Sequence, residues 1–591
     1  MKPRAVILSM PWHSKRMPSL GAGQLKAHLK QLKYRAEARH LHLEILESLG
    51  EAGRRMVHGS GLSTFDLEGV PIGILHPEGR EGVLRWYRDE LGVDASGWFE
   101  AYEEAMRRCF GRIGWDRYTH VFFSSNIDQL FSSLLLAKWI KSMRPGVRIA
   151  IFGRAVVSMA GVALLGSYGW IDWCIDGEAE LAAASILGAH GEGPGWERRV
   201  PGLAWRDASG AVVRNPGGSV RDLNSLPAPD YGEYFELISG EARDDDIDPI
   251  LPYEASRGCR NRCAFCNVNS FFDGYRQKSP ERIARDIRVL TRRYGVLNIM
   301  FMDQHVIGQG ARSMFRRLAD QRMDYNVSHE LRADVDRETI EAMRAAGVRQ
   351  VEIGIESLSA GLLKCMGKGV GPIDNIYAMK LCEEAGIDNA YNLIAGFPTE
   401  TQDQSDETVR NIEFVCHLRP PDEIVSFSLR IGSPCDAHPE RFNIVRKGEA
   451  EWRSMRQLPE GMRDRLVPYE TTAVRGGSPP DYRPLYDRWE AWKRKYRSSA
   501  SIGESLLSCR EAPGFVRILD RRYDTGRSVM LDGMGAMLYR YCRDIRSAAD
   551  IAMEFPEEAL EEMLGLLEEM VDLGIVFREG DRYLSLAIRT K

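Results

Sequence analysis

Apolar residues gather early in the chain into short runs separated by amphipathic stretches. Val6-Ile-Leu-Ser-Met10, His120-Val-Phe-Phe-Ser-Ser125, Arg148-Ile-Ala-Ile-Phe-Gly153 and Trp170-Ile-Asp-Trp-Cys-Ile175 each read as a buried strand. Helical spacing follows over 24–32 and 130–143. The alternation predicts an open parallel sheet with helices on both faces. Ligands of such sheets bind beyond the carboxyl ends of the strands. The loops that fall there are 11–20, 124–130, 153–158 and 177–180.

From about 198 the pattern shortens. Pro201-Gly-Leu-Ala-Trp-Arg206 and Ala211-Val-Val-Arg214 flank the turn Asp207-Ala-Ser-Gly210, which predicts a β-hairpin. Leu226-Pro-Ala-Pro-Asp-Tyr231 then reads as an extended linker. Strand–helix units resume with an apolar strand at 249–253. A helix over 279–294 has Ser279 as its cap and Pro280 in its first turn. Strands follow at 297–302, 325–330, 350–355 and 389–394, with a helix over 336–346 closed by Gly347. Repeated parallel units predict a barrel whose site lies at the carboxyl ends of its strands. After about 442 the repeat stops. A tryptophan-bearing helix (486–496), a strand (516–522), three helices and a closing hairpin (576–586) read as a small winged-helix-like module. The expected fold class is α/β, with units at 1–197, 198–247 (hairpin and linker), 248–441 and 442–591.

Composition narrows the class without changing this picture. At 591 residues, the chain is long enough for about three or four domains. A net charge of −5 gives no nucleic-acid footprint, and Glu557, Glu558, Glu561, Glu562, Glu568 and Glu569 crowd one helix of the last module, which opposes phosphate contact. The apolar start breaks at Pro11, too early for a signal peptide. No run reaches the roughly 18 apolar residues of a spanning helix. A cytoplasmic, reducing location is expected, with neither nucleic acid nor membrane as partner.

The chemistry concentrates in Glu254-Ala-Ser-Arg-Gly-Cys-Arg-Asn-Arg-Cys-Ala-Phe-Cys-Asn267, where Cys259, Cys263 and Cys266 stand at Cx3Cx2C spacing. A loop with such gaps supplies three converging thiolates to an iron–sulfur cubane. A four-cysteine zinc site would need a second closely spaced pair, and the other eight cysteines are scattered singly. With Phe265 as the aromatic before the third cysteine, the motif resembles the signature of the radical S-adenosylmethionine (SAM) superfamily. That resemblance implies a [4Fe–4S] cluster whose open iron chelates SAM. Gly354-Ile-Glu356-Ser357, Met366-Gly-Lys368 and Gly396-Phe-Pro398 are similar to the superfamily's SAM-binding stretches. Glu356, Ser357 and Phe265 are thereby expected near SAM, with Arg332 expected at its carboxylate.

The N-terminal sheet adds a second resemblance. Met10-Pro-Trp12, Pro18-Ser19-Leu20-Gly21, Ser124-Ser125-Asn126-Ile-Asp-Gln129 and Gly177-Glu178-Ala-Glu180 are similar to the Rossmann-like cobalamin-binding domain of B12-dependent radical SAM enzymes. The expected corrin pocket is Pro18, Ser19, Leu20, Ser124, Ser125, Asn126, Gln129, Gly153, Arg154, Gly177 and Glu178. Arg154 stands where that family usually carries a second glycine. Asp303-Gln-His305-Val-Ile-Gly308 also satisfies the Asp-x-His-x-x-Gly pattern of histidine-on cobalamin proteins. It follows the cluster motif in the barrel, far from the corrin-binding sheet, so cobalamin is expected without histidine ligation. Asp303 and His305 are instead expected at the active site, as polar residues at a strand end.

End to end the chain resembles the radical SAM C-methyltransferases of ribosomal-peptide maturation and a thiostrepton-pathway tryptophan methyltransferase. Many peptide-maturing members space their first two cysteines more widely. The resemblance implies methyl transfer from SAM through cobalamin to a carbon of a peptide or a small natural product, with flavodoxin or ferredoxin as electron donor. It also implies that the last module captures the substrate by strand addition. The alternatives are a non-methylating cobalamin-dependent rearrangement or oxidation and a non-catalytic cobalamin or cluster carrier.

Overall fold

The computed structural model describes residues 3–239, 247–303, 308–500, 505–523 and 525–589. The N-terminal unit is a seven-stranded sheet of β1 (Arg4–Ser9), β2 (Arg35–His40), β3 (His120–Ser124), β4 (Arg148–Phe152), β5 (Trp173–Ile175), β6 (Leu203–Arg206) and β7 (Val212–Arg214). Its order is β2-β1-β3-β4-β5-β6-β7, with β1 to β5 parallel. The order reverses direction between β1 and β3, the switch point at which such sheets hold ligands.

Two features depart from expectation. The hairpin β6–β7 is no separate connector. It pairs antiparallel with β5 through Trp173↔Trp205, Cys174↔Ala204 and Ile175↔Leu203, and extends the sheet. Leu203, Ala204 and Trp205 are buried, so the hairpin covers an edge that β5 would otherwise expose. The second departure is a helical insertion over 41–117 between β2 and β3, including the helices Leu41–Leu49, Gly69–Leu75, Arg80–Asp89 and Trp98–Gly111. Its apolar faces share one core with Val6, Leu8 and Phe123 of the sheet. Glu68 pins it: the buried carboxylate accepts from the Phe131 amide at 2.7 Å and the Ser132 hydroxyl at 3.2 Å.

The linker residues Asp230 and Tyr231 join this unit to the next. Asp230 takes Lys26 at 3.1 Å and Lys30 at 3.0 Å from the helix Leu20–Gln31, and Arg293 at 3.3 Å from the helix Pro280–Tyr294. The Tyr231 hydroxyl donates to the Pro252 carbonyl at 2.6 Å.

The second unit is a partial parallel barrel. It begins with β8 (Leu251–Tyr253), followed by a short antiparallel pair, β9 (Ser256–Arg257) and β10 (Arg276–Gln277). Then come β11 (Asn298–Phe301), β12 (Asn326–Leu331), β13 (Val348–Ile353), β14 (Asp388–Ala390), β15 (Asn392–Ala395) and β16 (Glu423–Ser426). The order is β8-β11-β12-β13-β14, all parallel, and β15 pairs parallel with β16. Strands β14 and β15 are halves of one strand broken at Tyr391, which gives six strand positions.

Beyond the barrel, β17 (Leu429–Arg430), β18 (Ile444–Ala450) and β19 (Glu470–Arg475) form an antiparallel sheet. The helix Arg483–Ala500 leads to β20 (Leu507–Ala512), β21 (Phe515–Asp520) and β22 (Arg527–Asp532). Three helices and the strands β23 (Arg546–Ser547), β24 (Val576–Glu579) and β25 (Arg582–Ser585) follow, and β26 (Ile588–Arg589) returns to β20. This region is not a detachable appendage. Leu507, Val516 and Leu567 share one core with Ile376 and Val415 of the barrel helices. Trp492 donates to the Leu418 carbonyl at 2.8 Å, and the buried Arg522 to the Phe414 carbonyl at 3.2 Å. Among the described residues no helix is long and apolar enough to cross a membrane.

Candidate active site

The carboxyl ends of β1, β3, β4 and β5 face the barrel mouth across a cavity of about 320 Å³. All eleven residues expected to form the corrin pocket line it: Pro18, Ser19, Leu20, Ser124, Ser125, Asn126, Gln129, Gly153, Arg154, Gly177 and Glu178. The opposite wall comes from the barrel, with Glu254, Ser256, Arg257, Gly258, Met302 and Asp303 among its residues. A second cavity of about 890 Å³ shares His13, Met17, Asn126 and Met302 with it and extends under the helical insertion.

Local chemistry fixes the sheet side. Ser19 caps the helix Leu20–Gln31 by accepting from the Ala22 amide at 3.3 Å, and its hydroxyl meets that of Ser124 at 3.3 Å. Gln129 ties two loops together: its carbonyl accepts from the Asn126 amide at 3.0 Å, and its amide donates to the Met10 carbonyl. At Gly21 a Cβ would fall 2.6 Å from Ser124 Oγ. At Gly153, where φ is +109°, a Cβ would fall 2.5 Å from the Ser125 carbonyl oxygen. These glycines let β3 and β4 end close to the helix. Arg154 crosses toward the barrel, its guanidinium carbon 6.0 Å from the centre of the Phe271 ring.

On the barrel side, the cysteine loop leaves β9. Gly258 (φ +75°) makes the turn, since a Cβ there would fall 2.3 Å from the Gly274 carbonyl oxygen. The Cys259 amide donates to Asn269 Oδ1 at 3.0 Å, and the Asn261 amide lies 3.4 Å from Cys259 Sγ. The Ala264 amide donates to the Met366 carbonyl at 2.8 Å. Cys263 is buried, while Cys259 and Cys266 are partly exposed. Burial raises the Cys266 thiol above its ordinary range, and Cys263 and Cys259 push it the same way. Among the described residues no group of three or more His, Cys, Asp or Glu is tight enough for a single metal ion. A cubane instead presents a different iron to each thiolate.

The residues expected near SAM behave differently from one another. Glu356 has φ +61°, a region that costs a side-chain-bearing residue about 1–3 kcal/mol and persists where neighbours impose it. The bridge to Leu393 imposes it here: the Glu356 amide donates to Asn392 O at 3.2 Å, and Ile394 donates back at 2.8 Å. Glu356 Oε1 accepts from Lys368 Nζ at 3.1 Å. Arg332 donates to the Lys368 carbonyl at 2.6 Å and to Asp334 at 3.2 Å. The Lys368 ammonium also lies 6.0 Å from the Phe265 ring centre, so Phe265, Arg332, Glu356 and Lys368 gather together. Ser357 does not join them. It is 2% exposed, its hydroxyl accepting from the Ser359 amide at 3.0 Å and meeting Thr408 at 3.2 Å, the bonding of a local cap.

Asp303 lies at the cavity wall and accepts from the Ala255 amide at 2.8 Å and the Ser256 hydroxyl at 3.0 Å. Burial pushes its carboxyl up to about 7, against the pull of those bonds. Burial, then repulsion from Glu352, lifts Glu330 on β12 to about 7 as well, with Arg154 opposing. His305 lies outside the described residues.

Sequence reasoning missed the role of Arg257. Its guanidinium reaches Glu254 at 2.8 Å, Glu178 at 2.8 Å and Glu180 at 2.6 Å, all largely buried. Glu178 is therefore held by a salt bridge and by the Val220 amide at 2.9 Å. Burial alone would raise Glu180, but Arg257 outweighs it and holds the carboxyl below its ordinary range. The signal available in sequence was the arginine directly before Gly258-Cys259.

The radical SAM superfamily profile matches residues 253–412, the barrel. An uncharacterized methyltransferase of Pyrococcus horikoshii is 24% identical over 294 residues, 49% of this chain and 63% of that protein. The chain spans between 40% and 63% of the length of the first curated relatives it matches. Among solved structures, the cobalamin-dependent SAM radical enzyme OxsB, with aqua-cobalamin and SAM bound, superposes with a TM-score of 0.56 at 13% identity. That superposition covers 98% of this chain and 82% of OxsB. The radical SAM methyltransferase TsrM from Kitasatospora setae, with tryptophan and a SAM analogue bound, gives 0.54 at 15% identity, covering 83% and 89%. These likenesses show a shared fold.

Proposed function

We propose that this chain, through its radical SAM barrel, transfers a methyl group from SAM by way of cobalamin to a carbon of a peptide or amino-acid-derived substrate. One observation carries the reading: the eleven expected corrin residues line a single cavity whose other wall is the strand that leads into the three-cysteine loop. The fold shared with OxsB and TsrM, and a curated relative named as a methyltransferase, support it.

The residues present fit each group. Cys259, Cys263 and Cys266 would hold a [4Fe–4S] cluster, with the Asn261 amide beside a sulfur. Gly21 and Gly153 let Ser124 and the Ser125 backbone pack directly against them, and the loops so shaped line the cavity in which cobalamin would lie. Glu356, Arg332, Lys368 and Phe265 would meet SAM. When bound, the three groups supply an electron, a methyl and radical source, and a methyl carrier.

The chain's own residues orient and shield these groups. Met302, Phe271 and Phe272 give the shared cavity apolar lining on its barrel side. Asp303, titrating near 7, accepts or holds a proton at its carboxylate within the physiological range. A reducing cytoplasmic setting with flavodoxin or ferredoxin as electron donor suits a thiolate-bound cluster. The terminal helices and the β23–β25 sheet, read as a winged-helix-like module, would engage the substrate.

The cysteines test the proposal. Cys259→Ala, Cys263→Ala and Cys266→Ala are each expected to abolish cluster absorbance and reductive SAM cleavage after anaerobic reconstitution. An intact cluster in all three variants ends the radical SAM reading.

A further inference from the structure

Arg257 belongs to the barrel, whereas Glu178 and Glu180 belong to the N-terminal unit, at the cap and in the first turn of the helix Ala179–Gly188 that follows β5. The guanidinium spans the boundary, with 6% of its side chain exposed against 2% for Glu178 and 6% for Glu180. Arg276 closes the arrangement from β10, 2.6 Å from Glu178, and β9 pairs Arg257 with Arg276 in register. Glu254 is the third carboxylate, but it lies in the same unit as Arg257. Two residues after Arg257 comes Cys259; one residue before Glu178 is Gly177, on the cavity wall.

Stability alone does not explain such a group. A buried ionic cluster gains little over apolar packing, whereas removing one partner leaves an uncompensated buried charge. What it does provide is geometry: a planar guanidinium shared among carboxylates accepts one arrangement and no other.

Resting on the function proposed above, we infer that Arg257, gripped by Glu178 and Glu180, is a positioning residue that sets the register between the cysteine loop and the corrin-side cavity. Glu254 orients the same guanidinium from within the barrel and does not hold the two units together. Loss of the cross-boundary arm therefore loosens the cavity's far wall while the three thiolates remain in place.

Three variants separate this role from simple stabilisation: Glu180→Gln, Arg257→Lys and Asp286→Asn, each in the full chain; Asp286 is a buried carboxylate paired with Arg282 at 2.8 Å within the barrel and is not part of the cavity lining. Iron content and far-UV circular dichroism establish that each folds and carries its cluster. Cobalamin retained through gel filtration, read from the corrin spectrum, and hydrogen exchange across 177–180 and 256–258 are then compared. Glu180→Gln and Arg257→Lys are expected to lower cobalamin retention at least about tenfold and to speed exchange on both sides of the boundary, with cluster content unchanged. Asp286→Asn removes a buried ion pair that does not cross the boundary and is expected to retain cobalamin as wild type does. Equal retention in all four proteins, or equal loss with Asp286→Asn, overturns the positioning role. A wild-type protein that binds no cobalamin overturns the functional reading instead.

Discussion

Replacing Gly153 by alanine tests the cavity at its tightest point. Gly153 has φ +109° and ψ −171°, a conformation nearly confined to glycine that costs other residues about 1–3 kcal/mol. The new Cβ would also sit 2.5 Å from the Ser125 carbonyl oxygen and 3.1 Å from its carbonyl carbon. Both are backbone atoms at the end of β3, so no side chain can swing aside. Overpacking of this kind adds about 1–3 kcal/mol, for a total of roughly 2–6 kcal/mol. At about 2–4 °C per kcal/mol for a unit of this size, the melting temperature falls by roughly 4–24 °C. The assay is thermal unfolding of the apoprotein followed by circular dichroism, with cobalamin retention measured alongside. A fall of less than about 2 °C with wild-type retention refutes the reasoning.

Asp303 makes stability depend on pH. Its carboxyl titrates near 3.9 when unfolded and about 7 when folded, so stability falls as pH rises between those values and is level above them. Asp303→Asn removes that slope: in urea unfolding of the apoprotein the variant should gain on wild type from pH 5 to pH 8, and an equal gap at both values contradicts the assignment. Truncation before Arg483 removes Trp492, Leu507, Val516 and Leu567, each worth about 1.5–3 kcal/mol of burial, and bares the barrel helices. The shortened chain is expected to aggregate on expression; a soluble, cluster-loaded product would show that the barrel stands alone.

Much of the site was legible because its chemistry sits in the loops that follow strands. Apolar runs such as Val6–Met10 and Arg148–Gly153 marked the strands, and the residues just after them are those that line the cavity. The helical insertion was not legible, because Gly50, Gly59, Gly61, Gly69, Gly73 and Gly79, with Pro71 and Pro77, break its periodicity into short pieces. The hairpin β6–β7 was visible as a hairpin, but nothing in its sequence specified β5 as its neighbour. Arg257 and Glu180 are 77 residues apart, and their pairing depends on how two units dock, which no local pattern encodes. Ser357 shows the converse: a motif residue whose hydroxyl the fold spends on a local cap.

The central claim is that one cavity holds cobalamin against a radical SAM cluster. It is tested most directly by offering anaerobically reconstituted wild-type protein cobalamin, passing it through gel filtration, and then adding reductant and SAM. About four iron atoms and about one cobalt per chain are expected, with S-adenosylhomocysteine or 5′-deoxyadenosine formed on reduction. A cluster-loaded protein that emerges without cobalt, or one that carries both metals and leaves SAM intact, would contradict it.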